Sequence, residues 1–159
     1  KGIQSMNKTH RILGGFAALL AGLAMVPAAQ AAYPKSVKVT VEVWNDEAQD
    51  LHMTYGSWRA QGSDSSDYLI HAYQTGKGFN VTLNDPRNDD GTFRYATTSG
   101  KKCEFKFAHK ATFRWFGISP APEKSATAKS IGTVSAECGA SVTKGMNSME
   151  SYTVRFSMK

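Results

Sequence analysis

The chain has 159 residues, 41% of them hydrophobic and 20% charged, with 19 Lys+Arg against 13 Asp+Glu. That is enough for one domain and too little for two, and it excludes a disordered chain, a collagen, a coiled coil and a polytopic membrane protein. It names no chemistry.

The front end reads as a leader. From Met6 a short basic region (Lys8, His10, Arg11) precedes an apolar stretch over 12–26 and then Ala29-Gln30-Ala31. A positive start, a short apolar core and a small-x-small site make a secretory signal peptide, and the residues before Met6 read as upstream sequence. Gly14, Gly15 and Gly22 interrupt the apolar core and Pro27 ends it, so it falls short of the ~20 residues of a membrane-spanning helix. Two segments are therefore expected: 1–31 as upstream residues and signal peptide, and 32–159 as the mature domain. The leader cations Lys1, Lys8 and Arg11 account for half of the net +6. A mildly basic exported domain without a clustered basic stripe points away from nucleic acid.

In the mature chain the dominant signal has period two. Val37, Val39, Val41 and Val43 share one face, and Lys38, Thr40 and Glu42 the other; strict alternation of β-branched residues reads as a half-buried strand. Leu51, Met53 and Tyr55 alternate with His52 and Thr54. Phe79, Val81 and Leu83 alternate with Asn80 and Thr82, and Cys103, Phe105 and Phe107 with Glu104 and Lys106. Shorter strand candidates are 92–97, 112–116 and 131–138. The last strand has Tyr152, Val154, Phe156 and Met158 inside and Thr153, Arg155 and Ser157 outside.

Polar, turn-forming residues fill 45–50, and Asp90-Gly91 is the pair expected of a tight reversal. Residues 120–130, small and polar, read as a loop with at most one helical turn. About eight short strands, regularly punctuated, predict an all-β domain: a single antiparallel β-sandwich, with a closed barrel as second choice.

Both cysteines, Cys103 and Cys138, fall in the mature chain. An exported protein meets an oxidising environment, so a disulfide between them is expected. Neither has a CxxC partner or a His at metal-ligand spacing, and none follows the cleavage site closely, which argues against a lipoprotein anchor.

Catalytic and metal motifs are scarce. No G-x-S-x-G elbow occurs, and the mature histidines His52, His71 and His109 lie on different elements, each expected to be solvated. The donors Asn84, Asp85, Asn88, Asp89 and Asp90 precede Gly91, but an EF-hand alignment puts Pro86 at its first ligand position and Thr97 at its twelfth. Asn80-Val81-Thr82 fits the glycosylation triplet but lies inside a predicted strand. The reading is a non-enzyme with no cofactor and no metal.

The tryptophans are harder to place. Trp44 lies opposite the valines, Trp58 follows Gly56-Ser57 beside Arg59, and Trp115 sits in Phe113-Arg114-Trp115-Phe116. Lipid interfaces favour aromatic rings at headgroup depth with cations near phosphate; the same mixture suits sugar stacking or a protein interface. The expected contact residues are Tyr55, Trp58, Arg59, Lys101, Lys102, Arg114 and Trp115.

Residues 37–63 resemble the opening of the aegerolysins: a hydrophobic strand ending at an Asn-containing turn (Trp44-Asn45), a second strand (51–55), then a Gly/Ser-Trp step (Gly56-Ser57-Trp58). Residues 76–83, the run Asp90-Gly91-Thr92-Phe93-Arg94-Tyr95 and the short final strand resemble later parts of that family. The resemblance implies a small lipid-recognising β-sandwich, with Trp58 among its contacts and a toxin-like targeting role. Aegerolysins generally lack a cleaved leader, and residues 121–138 align with nothing in them. The functional expectation is thus an extracellular or periplasmic β-sandwich that binds a membrane lipid surface. The alternative is a soluble module for an envelope or extracellular protein or a glycan, such as an inhibitor, immunity or adhesion component. The sequence leaves the oligomeric state open.

Overall fold

The computed structural model describes residues 34–58, 65–112 and 121–159. The expected leader, Arg59, and the segment holding Arg114 and Trp115 lie outside them. The described residues all belong to one compact unit, Ala32–Lys159.

Eight strands are described: β1 (Val37–Asn45), β2 (His52–Gly56), β3 (Lys77–Leu83), β4 (Asn88–Ala96), β5 (Lys102–Thr112), β6 (Ala121–Ser130), β7 (Cys138–Lys144) and β8 (Ser151–Met158), with a 3-10 turn at Ser65–Tyr68. They form two four-stranded sheets, in the orders β3-β1-β8-β7 and β2-β4-β5-β6. The inner faces are the alternating residues of the sequence. Val37, Val39, Val41 and Val43 are fully buried, as are Phe93, Phe105, Phe107 and Phe156. Ring contacts join the layers: Phe156 of β8 lies 5.0 Å from both Phe93 and Phe105. The disulfide Cys103–Cys138 joins β5 of one sheet to β7 of the other. The result is an all-β, sandwich-like fold whose disulfide belongs to an oxidising environment, extracellular or periplasmic. No helix among the described residues is long and apolar enough to cross a membrane.

Four expectations about the elements need correction. The sheets are not wholly antiparallel: β1 and β8, the first and last strands, pair in parallel at the centre of their sheet. Period-two alternation places a residue on a face but carries no strand direction. Residues 121–130 form β6, not a loop, because β5 offers a full antiparallel partner from Cys103↔Ser130 to Thr112↔Ala121. Backbone pairing overrides the weak β-propensity of Ala, Ser and Lys there. The strand expected at 131–138 is instead an irregular link that touches β-structure through the Lys101↔Val134 bridge, and the strand begins at Cys138.

The last correction concerns Asp90-Gly91. This pair lies inside β4, opposite Ala108 and Phe107, and the reversal falls at residues 84–87. Gly91 is a packing glycine: a Cβ there would enter the ring of Phe107. The close approach of an aromatic ring to a bare backbone accounts for it better than turn chemistry.

Candidate functional site

The described members of the expected contact set do not form one platform. Trp58 turns inward, half-buried, with its ring centroid 5.7 Å from Phe79, 5.4 Å from Phe93 and 5.6 Å from Phe107. Its indole N–H is buried with no hydrogen-bond partner among the described residues.

Tyr55 points to solvent, 43% exposed. A register shift between Met53 and Tyr55 sets Tyr55 opposite Arg94, so it leaves the inward face that simple alternation assigns to it; an extra residue in one strand reverses the side-chain parity beyond it. The Arg94 guanidinium lies 5.0 Å from the Tyr55 ring centroid and 2.7 Å from Glu104. Lys102 shares this outer face two positions along β5 from Glu104. Lys101 is bound to Glu47 at 2.6 Å. Of these residues Arg94 and Lys101 are each paired with a glutamate, and Trp58 is turned into the core.

The outer face of the β3-β1-β8-β7 sheet is more uniform. Trp44 stands on it with the Arg155 guanidinium 4.1 Å from its ring centroid, and Arg155 donates from Nε and Nη2 to Glu42 Oε2, each at 3.2 Å. These three residues sit on adjacent strands in register, Glu42 opposite Arg155 and Trp44 opposite Ser157. The rest of the face is polar, with Lys38 of β1 and Lys144 of β7 beside hydroxyl-bearing side chains. Thr40 donates to Asn80 at 3.0 Å, and Thr153, Ser157 and Ser141 continue it across β8 and β7. A shallow cleft of about 270 Å³ opens at the β7–β8 hairpin, lined by Thr40, Thr153, Lys144, Ser148 and neighbours. Alternation sets Trp44 on the outer face but assigns it no role. Alternation sets Arg155 and Glu42 on outer faces too, and only the pairing of first and last strands brings them to the indole.

A second feature surrounds His109 at one end of the sandwich. His109 continues the inward alternation of Cys103, Phe105 and Phe107, and it is fully buried rather than solvated. In register across the sheet lie Asp89 on β4, His109 on β5 and Lys124 on β6, and Tyr152 of β8 stacks on His109 at 6.1 Å. The Lys124 ammonium lies 5.0 Å from the Tyr152 ring centroid and donates to the carbonyls of Gly145 and Ser148, fastening the β7–β8 hairpin to β6. Asp89 accepts backbone N–H bonds from Asn84, Asp85 and Asp90. Neither ring nitrogen of His109 has a hydrogen-bond partner among the described residues. Burial lowers its pKa, the Lys124 cation lowers it further, and the Pro86 backbone opposes both.

The sign of the consequence follows from linkage. A histidine held below its unfolded pKa of ~6.5 takes up a proton more readily when unfolded, so its contribution is complete above that value and is lost as pH falls below it. The wild-type melting temperature should drop between about pH 7 and pH 5, and His109→Gln should flatten that drop. Thermal melts across the range check it; an unchanged slope in the variant would remove His109 as the cause.

Among the described residues no group of three or more His, Cys, Asp or Glu side chains converges as a metal site. No protein-family model matches the chain, and a search of curated proteins returns no match either.

Proposed function

We propose that the chain is an exported, non-enzymatic recognition module: a disulfide-stapled β-sandwich that binds a glycan or protein outside the cytoplasm through the face of a sheet. The observation that carries this reading is the Trp44–Arg155–Glu42 group, an indole clamped by a neutralised guanidinium on an otherwise polar sheet face. A membrane surface calls for rings and cations free to reach headgroup and phosphate. The described aromatic–arginine pairs instead hold each guanidinium against a glutamate, Arg94 against Glu104 and Arg155 against Glu42. Lipid binding of the aegerolysin kind would have to rest on Arg59, Arg114 and Trp115, outside the described residues.

Co-sedimentation separates the two readings. With phosphatidylcholine vesicles containing phosphatidylglycerol, at physiological salt, the mature chain should stay in the supernatant. Pelleting that disappears in Trp115→Ala would overturn the recognition-module reading in favour of the membrane one.

A further inference from the structure

We propose that the turn at residues 71–74, at one end of the sandwich, is a docking surface for another protein, with the ring of Tyr73 as its anchor and an arginine- or lysine-bearing patch as its occupant. This surface is separate from the sheet face described above and does not depend on it.

The backbone at Tyr73 is strained. Among the described residues it is the one residue other than glycine with a positive φ, 56°. That left-handed region is unfavourable for a bulky side chain and ordinary for glycine or asparagine. The conformation closes the turn: Tyr73 N–H donates to the Glu47 carbonyl, and Gln74 N–H to the His71 carbonyl. The fold therefore requires this conformation but not this side chain. The residue is 68% exposed, and its ring has no hydrogen bond, ring contact or cation neighbour among the described residues. A ring that strains its backbone and stays in water contributes little to folding. Strain of this kind collects where a side chain serves something other than the fold.

The turn is held in place before any partner arrives. Asn45, fully buried at the end of β1, donates from Nδ2 to the carbonyls of Gln49 and His71, at 2.8 and 2.9 Å, and accepts the Glu47 N–H at Oδ1. Asp50 Oδ1 accepts the Ala72 N–H and Gln74 Oε1 the His71 N–H, each at 2.9 Å. One buried amide thus ties the loop after β1 to the turn that carries Tyr73. A tyrosine has only two side-chain torsions, so with its backbone fixed little ordering is left to be done on binding.

Charge around the ring selects the partner. Asp46 is exposed and has no ion pair among the described residues. Asp50 is half-buried beside the exposed His71, and the Ala72 N–H holds its carboxyl below the usual value, so it stays ionised. The lysines on this side are committed elsewhere, Lys101 to the Glu47 carboxylate and Lys77 to the Leu69 carbonyl, each at 2.6 Å. Lys159 follows Met158 on the β8 side of β1, whereas the turn bonds to Asn45 on the β3 side. An open ring next to carboxylates, with no free lysine or arginine beside it, attracts a guanidinium or ammonium to both. The same carboxylates repel lipid phosphates and nucleic acid.

Two measurements on the mature chain test it. Tyr73→Asn removes the ring and relieves the backbone, so its melting temperature should rise by roughly 3 °C or more. A melt at or below that of the wild type would mean that the ring serves the fold, and overturns the proposal. For binding, random peptides displayed on phage are selected on the wild type and counter-selected on Tyr73→Asn. The surviving peptides should be enriched in arginine and lysine and should bind Tyr73→Asn roughly thirtyfold more weakly, the equivalent of losing a hot-spot ring. Asp46→Lys should slow their association. Trp44→Ala, on the sheet face, should leave them bound as before, which keeps the failure of one surface distinguishable from the failure of the other. If no peptide distinguishes the wild type from Tyr73→Asn, or if the survivors are enriched in acidic or uncharged residues, the proposal falls.

Discussion

Replacing Cys103 and Cys138 together with serine should lower the folding stability by ~3–4 kcal/mol and the melting temperature by roughly 10–15 °C. The two cysteines are 35 residues apart in sequence, and freeing a loop of that length restores conformational entropy to the unfolded chain. The position of the bond adds a structural reason. It joins β5 to β7, which belong to different sheets. On that side the two sheets meet through small side chains: Ala126 and Ala128 of β6, and Ala140 and Val142 of β7, are only partly buried against the core. Small side chains bury little apolar area, so the covalent link supplies cohesion that the packing there does not. Urea titrations of the oxidised protein, the reduced protein and the double-serine variant measure the effect. A double variant that melts with the wild type would mean that the β6–β7 side holds without the bond.

The architecture was readable because burial in a sandwich repeats every second residue. The alternating faces of β1 and β8 appear in the structure residue for residue. The pairing of Cys103 with Cys138 needed only the count of cysteines. What alternation cannot carry is strand direction, partnership and local shifts of parity. The parallel pairing of β1 with β8 depends on the path of the whole chain, and β6 exists because β5 presents an unpaired edge, not because Ala-Thr-Ala-Lys favours a strand. Tyr55 left its expected face through a single extra residue. Gly91 looked like a turn glycine because the ring above it, Phe107, lies sixteen positions further along the sequence.

The candidate surface was less legible for the same reason. Trp44, Glu42 and Arg155 come from opposite ends of the chain, and nothing local to any of them signals the group they form. His109 was recoverable: its inward position extends the 103, 105, 107 series by one step. Reading it as solvated followed residue type over periodicity, and periodicity prevailed because Lys124, Tyr152 and Asp89 supply polar surroundings at the end of the sandwich.

Trp58→Ala should cost about 3 kcal/mol of folding stability, the lower part of the range for deleting a packed aromatic ring, because the residue is half-buried rather than sealed. The indole spans the layers, touching Phe79 of β3 in one sheet and Phe93 and Phe107 of the other. Removing it opens the space between sheets at the end of β2 and takes away three ring contacts, each of a kind that contributes beyond area alone. Trp58→Phe keeps an aromatic body in that space and should lose less. The same substitution weighs the two roles available to this residue. A core wedge predicts a large fall in melting temperature with ligand affinity kept in whatever fraction stays folded. A lipid contact predicts the reverse, an unchanged melt with vesicle binding lost. Measuring both on one preparation of Trp58→Ala decides the matter, and a melt that matches the wild type would return Trp58 to the surface.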